Sequence, residues 1–79
     1  MVKVTVILNE VDKLKDFVNE VSKFDMDFDA VRGRYVIDAK SIMGMMSLDL
    51  SKPVDVIVRS KTDDESEIEK ILEILKRFQ

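Results

Sequence analysis

Apolar and polar positions alternate at the start of the chain: Val2, Val4, Val6 and Leu8 interleave with Lys3, Thr5 and Ile7. A period of two predicts a strand over residues 2–8 with one face on a core. The period then changes. Val11, Leu14, Phe17, Val18, Val21 and Phe24 recur at spacings of three and four, which predicts an amphipathic helix from about Asp12 to Lys23. Asn9 is its expected cap, and Asp12 suits the positive end of the helix dipole.

Met26, Phe28 and Ala30 alternate with Asp25, Asp27 and Asp29, the pattern of a second strand with a solvated row of aspartates. Residues two apart on a strand lie roughly 7 Å from one another, so the row does not converge on one metal ion. Arg32-Gly33-Arg34 predicts a tight turn in which Gly33 takes positive φ. Tyr35-Val36-Ile37-Asp38 then returns as a third strand. After a short helix opened by Ser41, Leu48 and Leu50 are expected to pack inward. Lys52-Pro53 turns the chain into a fourth strand, Val54 to Val58, with Val54, Val56 and Val58 facing the core. The acidic run Asp63-Asp64-Glu65-Ser66-Glu67 opens a last helix with Ile68, Ile71, Leu72, Leu75 and Phe78 as its stripe, and Lys76 and Arg77 at its end.

The predicted order is β-α-β-β-α-β-α, an α+β fold with helices on one face of a sheet. Periodicity does not separate an open-faced β-sandwich from a ferredoxin-like strand order. With 79 residues, a single domain over 1–79 is expected, small enough that every amphipathic element contributes to its core. Cysteine is absent, which removes disulfides, thiolate metal sites and cysteine nucleophiles. Nothing points to a metal or cofactor. Short apolar stretches and an N-terminus unlike a signal peptide argue against a membrane and for the cytoplasm. Thirteen basic against sixteen acidic residues give a net charge of -3 without a basic run, so proteins are the expected partners and nucleic acid is not.

The candidate chemistry concentrates in Lys40-Ser41-Ile42-Met43-Gly44-Met45-Met46-Ser47-Leu48-Asp49-Leu50. Serine before an apolar helical run is an N-cap, its hydroxyl accepting from a backbone N–H two or three residues on. A phosphate there would also meet unsatisfied donors, so cap and phosphorylation site are compatible roles. The helix carries more large apolar side chains than one core-facing stripe uses. Methionine suits a surface that repacks against partners.

Ala39-Lys40-Ser41-Ile42-Met43-Gly44 followed by Met46-Ser47-Leu48 resembles the regulatory serine segment of the HPr family, the phosphocarriers of the sugar phosphotransferase system. The resemblance implies an open-faced β-sandwich, a four-stranded antiparallel sheet with helices on one face. It places Ser41 on the regulatory serine and Ile42, Met43 and Met46 on the outward docking patch, with Met45 and Leu48 in the core. It breaks at Leu8-Asn9-Glu10-Val11-Asp12-Lys13, where the chain holds none of the phosphohistidine motif and no histidine at all. In the family's register Glu10 occupies the histidine position, Asp12 the arginine and Lys13 the proline. A carboxylate would have to form an acyl phosphate, with Lys13 the only obvious cation nearby. A Crh-like member is therefore expected: not an enzyme but a regulatory binding module switched at Ser41. Such a module implies protein partners, namely an HPr-kinase-like enzyme, a transcriptional regulator or phosphotransferase-system components. The alternatives are an interaction protein that self-associates through the methionine patch as a homodimer, and a ferredoxin-like small-molecule-binding regulatory domain.

Overall fold

The computed structural model describes residues 2–59 and 65–79. Its elements are β1 (Val2–Val6), α1 (Val11–Val21), β2 (Asp27–Arg32), β3 (Tyr35–Asp38), α2 (Ile42–Met46), β4 (Val54–Arg59) and α3 (Glu65–Lys76). The four strands form one sheet in the order β1-β4-β2-β3, with every neighbouring pair antiparallel. This is the open-faced sandwich. A ferredoxin-like order would hold the first strand inside the sheet, whereas here β1 and β3 are the edges.

Alternation along the strands decides the two faces. Val6, Phe28, Ala30, Val54, Val56 and Val58 are buried with Leu14, Phe17, Val18 and Val21 of α1 and Ile71 and Leu75 of α3. On the opposite face Lys3, Ile57, Asp29 and Asp38 stand in one row across the sheet, and Asp29 is paired with Arg59 at 2.6 Å. Phe17 meets Phe78 edge to face with centroids 5.5 Å apart, which joins α1 to the C-terminal end of α3. The Ile7 N–H donates to the Phe78 carbonyl at 2.6 Å, tying that end to the segment after β1. Gly33 has φ 59° and is the only residue of the two-residue β2–β3 turn with positive φ, as a type II′ hairpin requires.

Several sequence expectations shift. The first strand ends at Val6 and not at Leu8, because its partner β4 begins at Val54, just after Pro53, which has no N–H to donate. Leu8 is buried all the same. The first helix runs over Val11–Val21, so Glu10 and not Asn9 is its N-cap residue. Phe24 lies beyond the helix and packs beside Phe28 with centroids 6.3 Å apart. Val11, expected in the core stripe, is 57 % exposed. Asp25 falls in a bend ahead of β2. Ile74, absent from the expected stripe of α3, packs partly buried against the core. Asp63 and Asp64 lie outside the described residues.

Candidate functional site

The approach to α2 is tied down by polar bonds. Asp38 Oδ1 accepts the Lys40 N–H at 2.9 Å and the Asp38 carbonyl accepts the Ser41 N–H at 3.0 Å. Lys40 reaches across to the segment between α1 and β2, donating from Nζ to the Phe24 carbonyl at 2.6 Å, with its ammonium 5.8 Å from the ring centroid of Phe28 in β2, a cation–π contact. Ala39 between them is fully buried. Ser41 is extended at φ -94°, ψ 106°, and its Oγ accepts the Gly44 N–H at 3.1 Å. That is the expected N-cap geometry.

Of the docking patch, Met43 is 80 % exposed and Met46 56 %. Ile42 is not outward in the same sense: it is half-buried and packs against the core. The reason is helical spacing. Met45 is fully buried, and Ile42, three positions earlier, lies above it on the same side. Leu48 is buried as expected, and Leu50 packs partly buried against the core.

Glu10 sits at the start of α1 with φ -133°, ψ 144° and makes no side-chain cap bond. Its carbonyl alone serves the helix, accepting the Leu14 N–H at 3.0 Å. It lines a cleft of about 280 Å³ together with Leu8, Asn9, Val11, Leu14, Met46, Leu50 and Ser51. The structure thus brings the Glu10 position and the Met46 end of the patch onto one cleft. No cation lines it. Asp12 and Lys13 are exposed and lie outside this lining. An exposed Val11 beside Met46 extends the apolar surface from α2 to α1, and sequence periodicity hid it, because Val11 fits the α1 stripe by spacing.

A family profile, that of the phosphorylation site of the phosphotransferase-system HPr component, matches residues 14–77. The chain belongs to the HPr family. The match opens at Leu14, so Glu10, Asp12 and Lys13 precede it, while the whole Ser41 segment lies within it. No curated protein sequence gives a significant match. Among solved structures, HPr-C-His from Thermoanaerobacter tengcongensis is similar with a TM-score of 0.73 at 26% identity, covering 96% of this chain and 92% of that one. Crh of Bacillus subtilis, a catabolite-repression protein crystallised as a swapped-domain, intertwined dimer, is similar with a TM-score of 0.63 at 26% identity, covering 100% of this chain and 91% of Crh. The phosphocarrier protein HPr of Bacillus anthracis shares the fold with a TM-score of 0.73 at 24% identity, covering 99% of this chain and 96% of that one. Among the described residues of this HPr-family chain, no helix is long and apolar enough to cross a membrane.

Proposed function

We propose that this HPr-family protein does not pass a phosphoryl group through a histidine but works, without catalysis of its own, as a regulatory binding module in the cytoplasm, switched by phosphorylation of Ser41. The observation that carries the reading is the pairing on one five-residue helix of a capping serine with Met43 and Met46, both exposed. A kinase would transfer the γ-phosphoryl group of ATP to the Ser41 Oγ, with ADP leaving and the hydroxyl proton passing to the kinase's base. The esterified oxygen can still accept from Gly44, so the cap is compatible with the modification. About two added negative charges beside an apolar patch change which partner surfaces fit.

The Glu10 cleft supports the other half. Phosphoryl transfer needs cations at the developing charge, and this cleft offers a carboxylate and apolar walls. Partners are then an HPr-kinase-like enzyme and, downstream, a transcriptional regulator or phosphotransferase-system components. Incubation with ATP and an HPr kinase should add one phosphate by mass, and Ser41→Ala should remove it; an unchanged mass for the wild-type chain sinks the switch. Labelling by enzyme I and phosphoenolpyruvate would overturn the first half.

A second reading is favoured by the continuity of Met43, Met46 and Val11 and by the dimeric Crh. Here the same patch serves a second copy of the chain. Size-exclusion chromatography separates the two, since a dimer that dissolves in Met46→Asp supports self-association.

A further inference from the structure

Arginines in this protein are unevenly matched. Arg59 pairs with Asp29 at 2.6 Å and Arg77 with Asp16 at 2.8 Å. Arg32 and Arg34, which flank the hairpin glycine, have neither a hydrogen bond nor an ion pair among the described residues. The Arg32 Nε is moreover enclosed without an acceptor. An atom so enclosed is out of a ligand's reach; what favours an anion is the remaining donors of the two guanidiniums, which have no protein acceptor among the described residues.

Geometry gathers these groups in one place. Arg32 and Tyr35 are direct partners across β2 and β3, and Arg32 continues the alternation of Phe28 and Ala30, so it stands on the helix side of the sheet beyond the core. The segment after α2 forms the facing wall. Arg32, Gly33, Arg34, Tyr35, Ser47, Leu48 and Asp49 line a cleft of about 570 Å³, within the usual range for small-molecule sites. It lies past the C-terminal end of α2, whereas Ser41 caps the other end, and it shares no lining residue with the Glu10 cleft.

Asp49 decides what kind of ligand fits. Its Oδ1 accepts both the Ser51 hydroxyl at 2.5 Å and the Ser51 N–H at 3.1 Å, which leaves Oδ2 without a partner among the described residues. These bonds, with Arg32 and Lys52 contributing, hold the carboxyl below its ordinary range, so it is ionised at neutral pH. A ligand that is anionic throughout would meet this charge. One with an anionic end and hydroxyl donors meets complementary groups at both ends: the guanidinium forks suit phosphate oxygens, a hydroxyl can donate to Asp49, and Leu48 and the Tyr35 ring supply apolar wall. We propose that this cleft binds a small phosphomonoester bearing hydroxyl groups, its phosphate on Arg32 and Arg34 and a hydroxyl on Asp49.

The test is an amide-resolved NMR titration of the full chain with glycerol 3-phosphate, inorganic phosphate and glycerol. The expected result is saturable shifts at residues 32–35 and 47–49 with both phosphates and none with glycerol. Arg34→Gln and Arg32→Lys should each weaken binding about tenfold or more, the loss of one charge-assisted hydrogen bond. Arg34 is exposed, so its substitution leaves the fold as an internal control, visible as unchanged shifts elsewhere. Asp49→Asn should weaken glycerol 3-phosphate severalfold while leaving inorganic phosphate equal or tighter. Shifts that fail to saturate, that scatter over surface lysines, or that persist unchanged in both arginine variants overturn the site. Equal effects of Asp49→Asn on the two phosphates overturn the hydroxyl-bearing ligand.

Discussion

The approach to α2 and the approach to α1 are built by different means. Before α2, Asp38, Lys40 and Ser41 each spend a side chain on a backbone bond or a ring contact. Before α1, Glu10 makes no side-chain bond to the helix, and the segment is held by the buried Leu8 and by the Ile7 N–H bonded to Phe78. The first segment lies inside the region matched to the HPr family and the second ahead of it. A helix start fixed by local polar bonds writes itself into the residue types; one fixed by packing leaves them free to vary.

The largest test of this contrast is steric. Met45→Ala should cost about 2–5 kcal/mol by emptying a fully buried site, read from the urea midpoint. Gly44→Ala sets two effects against each other. Alanine is better than glycine in a helix by about 1 kcal/mol, yet the new Cβ would stand 2.7 Å from Ile37 Cγ2 and 3.2 Å from Ser41 Oγ. Ile37 Cγ2 branches directly from Cβ and yields little, so the overlap wins and a net loss of about 1–2 kcal/mol is expected. In an Ile37→Ala background that loss should shrink; an unchanged loss would show that the collision is not its cause.

Capping comes next in size. Ser41→Ala should cost about 1 kcal/mol, and Glu10→Asp should gain about 0.5 to 1 kcal/mol by giving α1 the cap it lacks. Asn9→Ala should stay within about 0.5 kcal/mol. If Asn9→Ala costs as much as Ser41→Ala, the two helix starts are alike and the contrast fails.

The smallest effect concerns pH. The Asp49 carboxyl is held low by Ser51, and a depressed carboxylate contributes stability that is present above its unfolded pKa and lost as pH falls through the folded value. Ser51→Ala should raise the Asp49 pKa toward the ordinary carboxylate range and flatten the acid limb of stability; NMR titration of the side-chain carboxyl reads it directly. Asp49 is at the surface, so the change in stability will be slight.

Much of this was legible because short-range physics dictated it. Gly33 had to be the turn because a two-residue hairpin demands positive φ, and Ser41 had to be a cap because nothing else satisfies the Gly44 N–H so cheaply. Val11 departs from expectation because helical spacing says which residues share a side, not where a stripe runs off the end of the core. The outward place of Ile42 came instead from the family resemblance, whereas its spacing to Met45 points inward. Val11 is the first residue of α1 and overhangs, while Ile42 is drawn in over Met45.

From the residues alone came the element order, the buried strand faces, the Ser41 cap and the absence of a histidine. Tertiary structure decided the strand order, because β1 finds β4 across some fifty residues of chain and no local pattern encodes such a pairing. It also decided the neighbours. Glu10 and Met46 on one cleft, and Arg32 facing Asp49 across another, meet only where separate elements pack, and those meetings set what the surface can bind.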